Sequence, residues 1–144
     1  IKPVPTDLNA LADSVLKDFE RSTRATVERN FGQLPPLSID PEQMQKVITN
    51  LAMNAFDAAD GKGRIRVETS ANGHQAVLSV KDDGCGMSKE FIDNMLFRPF
   101  SSTKKRGMGI GLFHCKMIVE AHRGRIDVNS EEGKGTTFRV ILTL

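Results

Sequence analysis

A chain of 144 residues with 39% hydrophobic and 26% charged content is long enough for one buried core and ordinary for a globular protein. Its formal net charge of +2 is too small to argue for a nucleic-acid partner. No apolar run approaches the length of a membrane span, and the start carries no signal-peptide pattern. The two cysteines, Cys85 and Cys115, have neither metal-site nor redox spacing, which makes a reducing cytosol the simpler setting. The three histidines, His74, His114 and His122, form no ligand cluster. The opening IKPVPTDLNALADS has no methionine and reads as a domain taken from a longer protein.

In chain order, Asp7 precedes LNALADSVLKDFE, whose apolar spacing predicts a helix. RATVERNF predicts a short strand, and LPPLSID a turn with another strand-like piece. Asp40-Pro41-Glu42 supplies an N-cap, a proline at the first helical position and an early acid, so a second helix is expected from there to about Ala59. The run GKGRIRVETSANGHQAVLSVKDDG predicts two alternating strands joined around Asn72-Gly73. From Gly84 to Gly111 glycine, serine and lysine dominate, with a short helical piece near SKEFIDNML. IGLFHCKMIVEAH predicts a third helix, expected to be mostly buried and to end before Gly124. RIDVNS and TTFRVILTL predict two last strands around the turn EEGKG. Three main helices and five to seven interspersed strands favour one domain, an α/β sandwich with a mixed sheet covered by helices on one face.

Three stretches carry chemistry. On the second helix, at about 100° per residue, Gln43, Lys46, Asn50, Asn54 and Asp57 share one polar stripe, opposite Met44, Ile48, Leu51, Ala52 and Ala55. A solvated face is the ordinary explanation. However, repeated asparagine is a poor choice for one, since Lys, Glu and Arg are better helix formers. Amide oxygens are also suitable hard ligands for Mg²⁺ and add no charge beside a phosphate chain. The second stretch is DDGCGM, directly after a strand. Its glycines allow a tight turn and close approach to a flat ligand, and an aspartate there can accept from an amine such as adenine's. Alone it is more often a simple turn. The third is SSTKKRGMGIGLF, where Gly107, Gly109 and Gly111 run into a helix N-terminus that attracts anions, and Lys104 adds a mobile cation. Alone, its lysine run is more often solvated charge.

Together and in order, these motifs resemble the ATP-binding catalytic domain of sensor histidine kinases, in the GHKL superfamily. NLAMNAFDA is similar to the N box, DDGCGM to the first glycine box, FRPFSSTK to the F box, GMGIGL to the second glycine box and GKGTTF to the last. The resemblance covers nearly the whole chain from Asp7 onward and implies the Bergerat type of α/β sandwich. It implies that Asn54 binds the Mg²⁺ bridging the phosphates and that Asn50 supports the phosphate side. Asp82 would take adenine's amine, helped by Thr136 through water, in a pocket shaped by Gly84, Gly86 and Met87. Lys104 and the amides of Gly107, Gly109, Gly111 and Leu112 would close over the phosphates as a lid. Phe97 and Phe100 would order the lid's edge and a docking surface, or simply pack in the core. Two departures stand out: Asp57 is an acid where many histidine kinases carry lysine, and the lid is short.

The implied reaction transfers the γ-phosphoryl group of ATP to a histidine on a separate dimerisation domain of the same parent protein, with a response regulator downstream. The resemblance implies a cytosolic domain without membrane contact of its own. Its acceptor histidine would precede an acid, with a proline following. His74, His114 and His122 precede Gln75, Cys115 and Arg123, so this chain carries no such acceptor. The rival reading is a self-contained ATPase resembling DNA gyrase or mismatch-repair proteins. Those place a glutamate one turn before the metal-binding asparagine as general base. Here Asn50 occupies that position, which also argues against the related serine kinases. A nucleotide-binding regulatory module without catalysis is the remaining reading.

Overall fold

The computed structural model describes residues 1–94, 96–98 and 111–144. The first helix, α1 (Leu8–Thr23), starts where the Asp7 carboxylate accepts from the Ala10 N–H at 3.0 Å. It ends at Arg24, whose left-handed backbone (φ 62°) lets its N–H reach the Glu20 carbonyl at 2.8 Å. The second, α2 (Pro41–Ala58), is capped by Asp40, whose Oδ1 accepts from Gln43 N–H at 3.1 Å. Leu8, Ala12, Val15, Leu16 and Phe19 bury one face of α1, and Met44, Val47, Ile48, Leu51, Ala52 and Ala55 one face of α2. The two helices also meet through Phe19 and Phe56, edge to face with ring centres 6.0 Å apart.

Seven strands are described: β1 (Val4–Thr6), β2 (Val27–Phe31), β3 (Leu37–Ile39), β4 (Ile65–Asn72), β5 (Gln75–Asp82), β6 (Arg125–Glu131) and β7 (Gly135–Thr143). Five form the main sheet in the order β2-β4-β5-β7-β6, with β2 parallel to β4 and the other pairs antiparallel. The parallel pair requires a crossover, and α2 supplies it. β1 and β3 form a separate antiparallel pair. Register aligns Val67 with Val80 and Val80 with Phe138 across three strands, all buried under the helices. The opposite face carries polar pairs such as Arg66–Glu28 at 3.0 Å. The expected two-layer α/β sandwich with a mixed sheet is what forms. No helix among the described residues is long and apolar enough to cross a membrane.

The short helix α3 (Lys89–Asn94) begins where Ser88 Oγ accepts from Phe91 N–H at 3.1 Å. The last helix, α4 (Gly111–Ala121), corrects one expectation: it is not mostly buried, since only Cys115 and Val119 are fully so. These two are one turn apart; Cys115 Sγ lies 3.8 Å from the Val47 carbonyl of α2, and Leu112 and Ile118 pack only partly buried against the core. Met117, on another side of the helix, is 55% exposed.

Candidate nucleotide-binding site

β5 ends on Asp82, and the sheet register sets Thr136 of β7 directly opposite. Partners in such a pair project to the same face of a sheet, and both are buried, at 4% and 5% exposed. Asp82 Oδ1 accepts from the Gly84 N–H at 2.9 Å, a side-chain turn that starts the glycine loop. Gly84 is sterically required: a Cβ there would lie 2.5 Å from the Ala58 carbonyl oxygen at the end of α2. Gly86 has φ +71°, and a Cβ would collide with the Glu131 carbonyl. The loop is thus pinned on two sides. Cys85 N–H donates to Ala58 O at 3.0 Å, and Gly133 N–H, in the β6–β7 turn, donates to Cys85 O at 2.8 Å.

Met87 closes the loop by donating its backbone N–H to Ser130 Oγ at 2.8 Å. Ser130 lies 2.7 Å from Thr136 Oγ1 and also donates to Gly135 O at 3.1 Å. Asp82, Gly84, Gly86, Met87 and Thr136 therefore come together at one end of the sheet, linked by Ser130, which none of the sequence motifs contains. The tight EEGKG turn contained the signal, because folding β6 back on β7 sets Ser130 opposite Thr136.

The other end of the site is built on α2. Asn50 is half-buried, and its Nδ2 points to Gly111 O at 3.5 Å, at the start of α4. Leu112, the next residue, packs against the core. One turn further on, burial pushes the Cys115 thiol up to about 12, against a smaller opposing effect of hydrogen bonding with Asn50. It is an unreactive core thiol. Asn54 is half-buried, and among the described residues its amide makes no hydrogen bond. Asp57 lies on the same helix, also half-buried. Lys104, Gly107, Gly109 and Phe100 lie outside the described residues. Phe97 packs against the core, with Lys116 Nζ 5.7 Å from its ring centre. Beside Asn50 a groove of about 690 Å³ runs between α2 and α4, lined by Gln43, Lys46, His114 and Met117 among others.

Among the described residues no three His, Cys, Asp or Glu side chains gather as a metal site. The donor set at the Asn50–Asn54 end is instead neutral amide oxygen. That suits a hard cation such as Mg²⁺, which keeps several waters and arrives on substrate phosphates with only one or two protein ligands. Asn54, with no competing bond among the described residues, fits that role.

Residues 39–144 match the family described as "Histidine kinase-, DNA gyrase B-, and HSP90-like ATPase". Sporulation kinase C of Bacillus subtilis is 34% identical over 148 residues, covering 100% of this chain and 32% of that protein. Sensor histidine kinase ZraS of Escherichia coli is 40% identical over 140 residues, covering 94% of this chain and 30% of that protein. This chain therefore spans a third or less of these two relatives. In fold, the catalytic domain of histidine kinase ThkA in nucleotide-free form superposes with a TM-score of 0.86 at 24% identity, covering 99% of this chain and 96% of that one. The mycobacterial sensor histidine kinase MprB superposes with a TM-score of 0.84 at 22% identity, covering 98% and 97%. Motifs, family match and relatives agree: the chain belongs to the histidine kinase-, DNA gyrase B- and HSP90-like ATPase family, and the two relatives above are a sporulation kinase and a sensor histidine kinase.

Proposed function

We propose that this domain binds Mg²⁺-ATP and donates the γ-phosphoryl group to a histidine on a separate dimerisation domain of the same parent protein, with a response regulator downstream. The observation that carries this reading is one arrangement: the end of α2 bonds to the Asp82 loop while its polar stripe carries Asn54 and Asn50 away from it. A base held at Asp82 would lay its phosphate chain along that stripe. Asp82 accepts from adenine's amine, and the Gly84–Gly86 backbone lets the ring lie flat against the loop. Asn54 would hold Mg²⁺, which supplies charge neutralisation on the phosphates. Asn50 orients the phosphate side and cannot take a proton from water at neutral pH. In the transfer, the bond from the γ-phosphorus to the β,γ-bridging oxygen breaks and a bond to an imidazole nitrogen forms. ADP leaves with the electron pair. Chemistry of this type depends on positioning and charge rather than on a strong base.

His122 of this domain is a poor acceptor. Both ring nitrogens of His122 are engaged, by Asp40 N–H at 3.0 Å and by Ile118 O at 2.7 Å. The groove between α2 and α4, with exposed Met117, and the neighbourhood of Phe97 offer the helical partner an apolar foothold. An ATP-dependent step of this kind belongs to the cytoplasm. The test is incubation with γ-labelled ATP, with and without the parent's acceptor domain. The expected outcome is negligible phosphate release alone, and acid-labile, base-stable phosphohistidine on the added domain. Sustained phosphate release without an acceptor would instead favour a self-contained ATPase. Binding without hydrolysis or transfer, even with the acceptor present, would favour a regulatory module.

A further inference from the structure

The hydroxyl cluster behind the adenine end has a polarity that can be read from its donors and acceptors. Ser130 has one hydroxyl hydrogen and two lone pairs. The backbone N–H of Met87 can only donate, so it occupies one lone pair, at 2.8 Å. The Ser130 hydrogen has two acceptors in reach, Thr136 Oγ1 at 2.7 Å and the Gly135 carbonyl at 3.1 Å. The carbonyl cannot donate in return, so the one arrangement that makes both contacts hydrogen bonds gives the hydrogen to Gly135. The Thr136 hydroxyl, 2.7 Å away, then donates into the second lone pair of Ser130. This assignment gives each of these donors an acceptor within the cluster. It leaves the Thr136 oxygen with lone pairs alone to present beside Asp82, itself a carboxylate acceptor across the strand pair.

We infer that Ser130 is the residue that makes the site selective for a 6-aminopurine over a 6-oxopurine, by fixing Thr136 as an acceptor. The inference rests on the nucleotide reading of the Asp82 end. Two acceptors side by side suit an amine, directly or through a water that donates to Thr136 and accepts from the ring. A 6-oxo group in the same place would set oxygen against oxygen. With Ser130 removed, the Thr136 hydroxyl regains its rotation and can donate to that oxo group. Ser130 touches no base in this scheme. It is a positioning residue, acting through Thr136, and its anchoring of Met87 is a second, separate effect.

The two effects separate in the ratio of affinities for ADP and GDP, measured by displacing a fluorescent ADP analogue from the 144-residue chain. Loss of an anchor weakens both nucleotides alike, whereas loss of polarity changes their ratio. Ser130→Ala should lower the preference for ADP about tenfold or more, the scale of one hydrogen bond. Ser130→Thr keeps the hydroxyl and should keep the preference. Thr136→Val, which removes the acceptor, should lower the preference comparably, and combining it with Ser130→Ala should lower it no further. Equal weakening of ADP and GDP by Ser130→Ala would overturn the inference, as would an equal loss of preference in Ser130→Thr. If the unmodified chain binds neither nucleotide, the nucleotide reading itself fails, and this inference with it.

Discussion

Asp40 and His122, 82 positions apart in sequence, meet through one bond in which the Asp40 backbone N–H donates to His122 Nε2 at 3.0 Å. Since an N–H cannot accept, Nε2 must, and the hydrogen of the neutral ring then sits on Nδ1, 2.7 Å from the Ile118 carbonyl. Nitrogen-correlated NMR should find that tautomer. His122→Ala should leave a donor at the head of α2 unpaired, at a cost of about 1–3 kcal/mol. A thermal midpoint within a degree of the unmodified chain would contradict this account.

Gly84→Ala should destabilise without any strain in its backbone angles, because the added carbon meets the Ala58 carbonyl oxygen at 2.5 Å. Backbone cannot move aside as a flexible side chain does, so the loss should be about 1–3 kcal/mol, with nucleotide affinity falling in parallel. Calorimetric melting together with nucleotide titration checks both.

Part of the acid sensitivity should trace to Glu20, whose carboxyl, like those of Asp13 and Asp40, is held below its ordinary value. Hydrogen bonding from Arg29 holds its carboxyl below the ordinary glutamate value of 4.5, opposed by burial and helped by the Val27 N–H. A depressed carboxylate stabilises fully above its unfolded value and loses that contribution as pH falls through the folded one. Glu20→Gln should cost about 1 kcal/mol at neutral pH. The gap from the unmodified chain should hold down to the ordinary glutamate value of 4.5 and close below it. Denaturant melts across pH 3–7 measure this, and a gap that widened with acid would reverse the sign.

Asp82→Asn should lower ATP affinity by at least about 1.5 kcal/mol, the scale of a hydrogen bond to a charged group. The fold should survive. Unchanged affinity in titration calorimetry would remove Asp82 from the adenine pocket.

Asn54→Ala should abolish the Mg²⁺ enhancement of ATP binding while binding in EDTA persists, because the adenine contacts remain. A variant retaining the full Mg²⁺ effect would put the metal ligand elsewhere.

Local chemistry was legible wherever one residue decides the outcome. Asp7 and Asp40 do cap α1 and α2, and the hairpin around Asn72-Gly73 forms with Asn72 opposite Gln75. What escaped depends on partners distant in sequence. β1 is three residues with a proline, too short for a pattern, and exists because Val4 pairs with Ile39. The parallel match of Val27 with Ile65 leaves no mark on either strand alone. α4 was expected to be mostly buried because its composition is apolar, yet composition does not say how many sides find a neighbour. At the site, Asp82 and the glycines were visible because their residue types are unusual at those positions. Ser130 was not, since an isolated serine on an edge strand looks like any solvent-facing residue.

The bond from Cys85 N–H to the Ala58 carbonyl means that the glycine loop serves as part of the terminal cap of α2. Such carbonyls have no partner within their own helix, so the loop and the helix end should open together. Ligand occupancy and local unfolding then become linked equilibria: a nucleotide bound only by the closed form, at a thousand times its Kd, would add about 4 kcal/mol against opening. Amide exchange at Cys85 should slow on that scale when nucleotide is added. A loop variant whose helix end frays should therefore lose binding at low nucleotide, and excess nucleotide should recover it by mass action.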